Sequence, residues 1–105
     1  MKLFPASFEK IASGGKDYEI RLNDVKRQKV KIGDTIKFTN TETSQKIRTK
    51  VTSLKSYPSF DSLWEGVKDK YSGRSKDDFI ESMYSYWSSE EEKQYGGLVI
   101  GIKLG

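Results

Sequence analysis

The spacing of apolar residues along this 105-residue chain changes three times between helical and strand periodicity, and these changes restrict it to a mixed α and β fold. Apolar and polar residues alternate over 17–23, 35–39 and 98–104, which is typical of strands that bury one face. Over 60–67 and 79–87 the apolar residues recur every three or four positions instead, which is typical of helices. Early and terminal strands with helices between them predict an α+β fold whose last strand pairs with the early ones.

A short helix is predicted over residues 5–13, because Phe4, Phe8 and Ile11 follow helical spacing and Gly14-Gly15 ends the pattern. Residues 46–57 are predicted to be the return strand after a polar turn. The apolar faces of these strands and helices are expected to form the core. Its predicted members are Tyr18, Ile20, Ile36, Phe38, Trp64, Phe79, Met83, Leu98, Ile100 and Ile102.

The chain contains no cysteine and no histidine. The absence of these residues excludes disulfides, thiolate zinc sites, cysteine nucleophiles and Ser-His-Asp triads. Any catalysis must use Lys, Asp, Glu, Tyr, Ser or Thr, and we expect neither a cofactor nor a metal site. No apolar run approaches the roughly 20 residues of a membrane span. We therefore expect a cytoplasmic protein without a membrane partner.

Basic residues are concentrated in the first half of the chain. Residues 1–55 contain 13 Lys/Arg and 6 Asp/Glu, whereas residues 56–105 contain 6 and 9. A basic half indicates a polyanionic partner such as RNA, although a solvated basic surface accounts for the same composition.

The segment Gly14-Gly15-Lys16-Asp17-Tyr18-Glu19-Ile20-Arg21 combines a glycine turn with charges of both signs. Strand alternation places Glu19 and Arg21 on the face away from Tyr18, and Lys16 is expected in the turn beside them. Such a cluster predicts an anion site, to which the backbone N–H groups of the two glycines could contribute. The alternative is an exposed lysine beside an ordinary surface ion pair.

Within this segment Gly14, Lys16, Glu19 and Arg21 resemble the signature G-x-K-x-x-E-x-R of ASCH domains, small PUA-like domains linked to RNA and modified nucleosides. The similarity continues through the segments 5–13, 30–36 and 57–60 and the apolar terminal strand. It implies a single domain over residues 1–105 of a small bacterial protein. The implied fold is a small, mostly antiparallel β-barrel with helices packed around it.

The resemblance implies a cleft for RNA or a nucleotide-like ligand, lined by these four residues. The alternative that it implies is a hydrolase that acts on RNA or on acetylated cytidine nucleosides through Lys16 and Glu19. One branch of the family contains an amidohydrolase that uses a lysine and a threonine nucleophile. Lys16 matches that lysine, but Glu19 stands at the threonine position, and a carboxylate cannot replace the hydroxyl in forming an acyl ester. The sequence therefore favours binding over hydrolysis.

Three other charged segments are assigned more general roles. The connector with Lys26, Arg27, Lys29 and Lys31 could follow a phosphate backbone or form a solvated loop, and we include Lys26 and Arg27 among the predicted binding residues. Lys37, Arg48 and Lys50 are expected to share one sheet face that serves solubility. The run Glu90–Glu92 is expected to begin a helix rather than bind a metal. The oligomeric state is left open.

Overall fold

The computed structural model describes residues 1–71 and 73–105. These residues pack into two compact units. The first comprises Met1–Glu19, Val30–Leu54 and Ile100–Gly105, and the second comprises Ile20–Lys29 and Lys55–Val99.

Five strands and four α-helices make up the two units. The strands form one mixed sheet in the order β1-β3-β4-β5-β2. The predicted α+β fold class is therefore confirmed. In chain order the elements are β1 (Lys2–Leu3), α1 (Pro5–Ala12), β2 (Tyr18–Leu22), β3 (Thr35–Asn40), β4 (Lys46–Tyr57), α2 (Phe60–Val67), α3 (Lys76–Tyr86), α4 (Ser89–Tyr95) and β5 (Gly97–Leu104), with 3-10 turns at Arg27–Lys29 and Lys68–Lys70.

In the first unit, β3 pairs with β1 in parallel and with β4 in antiparallel orientation. Alternate residues of β3 face inward, so that Ile36 and Phe38 are buried while Thr35 and Lys37 are exposed. The other buried apolar residues of this unit come from β1, α1, β2, β4 and β5. They are Leu3, Phe8, Ile11, Tyr18, Val51, Ile100 and Ile102.

Helix α1 begins at Pro5, where the missing N–H and fixed φ of proline are tolerated. It ends where Gly14 adopts a φ of +80°, a left-handed conformation that favours glycine. The Lys16 N–H then donates to the Lys10 carbonyl at 3.0 Å, which folds the chain back against the end of the helix. This turn fixes the backbone from which the Lys16 side chain extends.

In the second unit, helices α2, α3 and α4 each begin after a serine. The hydroxyl oxygens of Ser59, Ser75 and Ser88 accept hydrogen bonds from backbone N–H groups in the first turn that follows. The core that these helices cover consists of Leu22, Phe60, Leu63, Trp64, Val67, Phe79 and Met83.

Nine of the ten predicted core residues are buried, but they belong to two units rather than to the single core that was predicted. Trp64, Phe79, Met83 and Leu98 are buried in the second unit, as predicted. Ile20 is only partly buried, because it packs at the margin of the second unit's core rather than within it.

The acidic run at Glu90–Glu92 lies in the first turn of α4, as predicted. Glu92, however, is buried, and its Oε2 accepts a hydrogen bond from the Phe60 N–H at 2.6 Å. Its Oε1 accepts a hydrogen bond from the Tyr84 hydroxyl, and this bond raises the pKa of Tyr84. One carboxylate therefore joins α4 to the start of α2 and to α3.

Residues 1–71 and 73–105 contain no group of acidic side chains arranged to hold a metal ion. Within the same residues, no helix has both the length and the apolar character that crossing a bilayer demands.

Candidate functional site

A groove of about 350 Å³ lies in the first unit, where the end of α1 meets β4 and β5. The turn after α1 brings Lys16 to this groove, and the two strands supply hydroxyl and apolar side chains. The lining residues are Ile11, Gly14, Lys16, Asp17, Thr49, Thr52, Ile102, Lys103 and Leu104.

The Lys16 side chain is largely shielded from solvent, with 19% of its surface exposed. Its Nζ lies 3.7 Å from Oε1 of Glu19 and 5.2 Å from the centre of the Tyr18 ring. The ammonium is attracted both by the carboxylate and by the negative face of the ring. The distance to Glu19 is longer than a hydrogen bond, so the ammonium keeps N–H donors for a ligand.

Glu19 is buried, with 8% of its side chain exposed. A carboxylate shielded to this extent costs free energy unless cations or hydrogen bonds compensate it. The alternative of an exposed lysine beside a surface ion pair is therefore wrong. The two side chains are packed into the structure, and the Glu19 carboxylate lies beside the Lys16 ammonium.

Gly14 lines the groove, but it does not offer the backbone donor that the sequence suggested. Its N–H donates to the Ile11 carbonyl at 3.0 Å as part of the helix end. The prediction that the N–H groups of both glycines contribute to an anion site is wrong for Gly14. Its role in the structure is the positive φ that turns the chain toward Lys16.

The other predicted residues, Arg21, Lys26 and Arg27, belong to the second unit. Arg21 is partly buried in β2, and Lys26 is exposed. The Arg27 N–H donates to Oδ1 of Asp24 at 3.0 Å, which begins the 3-10 turn. The structure brings Lys16 and Glu19 together, and Gly14 lines the groove that Lys16 also lines. That Gly14, Lys16 and Glu19 take part in ligand binding stays a prediction.

Comparison with known proteins identifies the family. Residues 1–104 match the family model of the ASCH domain. The chain belongs to the ASCH domain family.

Two solved structures resemble this ASCH domain over nearly its whole length. The crystal structure of the hypothetical protein PH0355 is 30% identical, covers 100% of both chains and has a TM-score of 0.80. The solution NMR structure of protein PF0455 from Pyrococcus furiosus is 28% identical, covers 99% of this chain and 97% of its own, and has a TM-score of 0.73. No curated protein matches. The named source organism is an archaeon, so these relatives give no support to the predicted bacterial origin.

The sequence pattern missed the contribution of β4 and β5 to the groove of this ASCH domain. Thr49 is buried, and its hydroxyl donates to the Ile36 carbonyl at 3.0 Å. Thr52 and Lys103 are exposed, so the Thr52 hydroxyl and the Lys103 ammonium remain accessible at the groove. The alternation within β4 was visible in the sequence, but nothing local indicates that these residues lie beside the end of α1.

Chemically, the groove combines one shielded ammonium with apolar walls. The exposed Leu104 can contact the face of a planar ring, while Lys16 and Thr52 offer donors to oxygen or nitrogen acceptors. Its volume of about 350 Å³ falls in the size range of small-ligand sites, which is roughly 300–1,000 Å³.

Proposed function

We propose that this ASCH domain binds RNA, or a nucleotide-like ligand, in the groove at Lys16. The observation that carries the proposal is the Lys16 ammonium, which is held in a largely shielded position at the groove by the buried Glu19 carboxylate. A fixed and partly desolvated cation binds a phosphate or a base carbonyl more strongly than a solvated surface lysine does. The family match supports the same class of ligand.

The charge of the folded chain supports a polyanion at the first unit. That unit contains nine Lys/Arg and five Asp/Glu, whereas the second contains ten of each. The whole net charge of +4 therefore belongs to the unit with the groove. This distribution attracts a phosphate-bearing ligand toward Lys16 over distances of about a Debye length, roughly 8–10 Å.

The residues have separate roles in this proposal. Lys16 donates to a phosphate or a base carbonyl, and the buried Glu19 carboxylate attracts the Lys16 ammonium without contacting the ligand. Leu104, the exposed apolar residue of the groove, contacts the base, and Thr52 adds a hydroxyl. Arg21, Lys26 and Arg27 are proposed as further phosphate contacts on the sequence pattern alone.

Binding agrees better with this geometry than hydrolysis does. Hydrolysis through an acyl ester needs a hydroxyl nucleophile, and the residue beside Lys16 is Glu19, whose carboxylate cannot form that ester. Incubation with acetylated cytidine and with short RNAs tests the alternative, and turnover that is lost in Lys16→Met would replace the binding proposal with a hydrolase.

The proposal is tested by titrating fluorescently labelled single-stranded RNA with the wild-type domain and with Lys16→Met, which keeps the length of the side chain and removes its charge. We expect Lys16→Met to weaken binding by about tenfold, the loss of one charge-assisted contact. The matched control is Lys93→Met, which removes an exposed cation from the second unit. If the two variants lose RNA affinity equally, the interaction is non-specific electrostatic attraction. That result would contradict the assignment of the groove as the binding site.

A further inference from the structure

One surface of the first unit has a basic character that neither the fold nor the groove explains. Strands β3 and β4 pair so that Lys37 lies opposite Arg48, Thr35 opposite Lys50 and Thr39 opposite Lys46. Directly opposed residues of an antiparallel pair project from the same face. Lys37, Lys46, Arg48 and Lys50 are all exposed, and together they form what we term the basic face.

The positive charges of the basic face are not balanced by nearby acidic residues. Between residues 35 and 50 the only acidic residue is Glu42, which lies in the turn between the two strands. Within the described residues, no ion pair joins any of the four cations to a carboxylate. In the second unit, by contrast, Lys68 lies 2.9 Å from Glu65 and Lys76 lies 2.6 Å from Asp61.

This arrangement is unfavourable for the strand pair itself. Like charges placed directly opposite each other, as Lys37 and Arg48 are, destabilise an antiparallel ladder. Solubility alone is served equally well by interspersed charges of both signs, which avoid the repulsion. The prediction that this face serves solubility therefore does not account for its uniform sign.

The geometry of the face fits an extended polyanion. Lys46, Arg48 and Lys50 follow one another at every second residue of β4, which spaces them about 6–7 Å apart in a line. A shallow hollow of about 580 Å³ lies at this face and is lined by Met1, Thr35, Ile36, Lys37 and Arg48. Arg48 is suited to bidentate binding of a phosphate, and the lysines to single contacts.

We propose that the basic face binds the phosphodiester backbone of single-stranded RNA, with successive phosphates against the cations of β4. This inference rests on the proposed function, and it assigns a second surface to the same ligand. Strand β4 connects the two surfaces, because it carries Lys46, Arg48 and Lys50 on the basic face and supplies Thr49 and Thr52 to the groove. The groove contacts one nucleotide, and the basic face extends the binding site along the chain of phosphates.

The test compares Lys37→Gln/Arg48→Gln with the matched control Lys55→Gln/Lys93→Gln, which removes two exposed cations from the second unit. Each protein is titrated with labelled single-stranded RNA of about twelve nucleotides at several salt concentrations. The same proteins are titrated with a nucleoside monophosphate, which reports the groove alone. Circular dichroism melting curves confirm that each variant is folded.

We expect Lys37→Gln/Arg48→Gln to bind the RNA about tenfold more weakly than the control variant does. In a plot of the logarithm of the binding constant against the logarithm of the salt concentration, the slope should become shallower by about 1.4, roughly 0.7 for each lost phosphate contact. Binding of the monophosphate should stay unchanged in this variant and fall in Lys16→Met. Equal RNA binding by the two double variants would overturn the inference while leaving the proposed function in place.

Two other outcomes also contradict the inference. Wild-type protein that binds the monophosphate, but the RNA no more tightly, would confine the site to the groove. Loss of binding to phosphatidylserine vesicles in Lys37→Gln/Arg48→Gln, with no change in RNA binding, would assign the basic face to a membrane surface. Wild-type protein that binds neither the RNA nor the monophosphate would overturn the proposed function together with the inference.

Discussion

Lys16 and Glu19, two residues of the sequence motif, form a charged pair within the first unit. The two side chains are three residues apart, and both are largely removed from solvent. The motif identified both residues, because their type and spacing are local features of the chain. It could not show that Glu19 is buried, since that depends on the packing of β2 within the complete fold.

The charge of Glu19 is expected to contribute to stability through Lys16. Glu19→Gln leaves the Lys16 ammonium shielded without its carboxylate, and we expect a loss of about 1–3 kcal/mol in the free energy of unfolding. Lys16→Met/Glu19→Gln should lose less than the sum of the two single variants, because it removes both charges. Urea denaturation of the four proteins provides this cycle, and strictly additive losses would show that the two groups do not interact.

Tyr84 gives the fold a pH dependence that can be measured. Its hydrogen bond to Glu92 and its desolvation raise the pKa of the Tyr84 hydroxyl above the ordinary value of 10.0. The hydroxyl is therefore protonated more readily in the folded state than in the unfolded state. The resulting stabilisation is complete below the unfolded pKa and is lost as the pH rises through the folded pKa.

The difference in unfolding free energy between wild type and Tyr84→Phe isolates this contribution. We expect it to stay constant from about pH 7 to about pH 9 and to decrease above about pH 10. Tyr86→Phe is the control, because Tyr86 is exposed on the same helix. A difference that does not change up to about pH 11 would contradict the role of the Tyr84–Glu92 hydrogen bond.

At the scale of elements, hydrophobic periodicity predicted most of the chain. The helix expected over 5–13 is α1 at Pro5–Ala12, and the return strand expected over 46–57 is β4 at Lys46–Tyr57. Strand β1 was missed, because two residues carry no periodic signal and form a strand only by pairing with β3. Helices and strands whose own residues show a periodic pattern could therefore be predicted from the sequence. Strand β1, which forms only by pairing with a distant strand, could not.

The end of α4 depends on a glycine for two separate reasons. Gly96 has a φ of +69°, and a Cβ built there would lie 2.1 Å from the Tyr57 carbonyl oxygen. Gly33 has a φ of +93°, but a Cβ there would meet no atom within 4 Å. Replacing either glycine by a residue with a Cβ strains the backbone, because both have a positive φ. At Gly96 the added Cβ would also clash with the backbone of Tyr57.

Gly33→Ala is therefore expected to cost about 1–2 kcal/mol, and Gly96→Ala about 2 kcal/mol or more beyond that. Thermal or urea unfolding of both variants measures the difference. Equal destabilisation would mean that the chain at Tyr57 moves aside at no cost, which would contradict the close packing of α4 and β4 in the second unit.

At the scale of the whole molecule, folding redistributes the charge seen along the sequence. The basic connector belongs to the second unit, where residues 20–29 contribute four basic residues and one acidic residue. These charges neutralise the acidic helical segment, so the second unit has no net charge and the first keeps +4. The sequence correctly indicated a basic surface, but its location depends on which segments pack together.

The candidate site could be predicted from the sequence only where its residues are neighbours along the chain. Gly14, Lys16 and Glu19 were identified from one short segment, and the first two line the groove. Thr49, Thr52 and Lys103 reach it from strands that are more than 30 residues away in sequence, and no local pattern indicates that proximity. That the chain forms one domain over residues 1–105, and that Arg21, Lys26 and Arg27 bind the ligand, stay predictions.

The most direct test of the central claim is an NMR titration of the ¹⁵N-labelled domain with a nucleoside monophosphate and then with short single-stranded RNA. If the ligand binds at the groove, the amide signals of residues 14–19, 49–52 and 102–104 shift first and saturate together, and Lys16→Met abolishes the shifts with the monophosphate. Shifts confined to the second unit, or no saturable shift with either ligand, would contradict the assignment of the groove at Lys16 as the binding site.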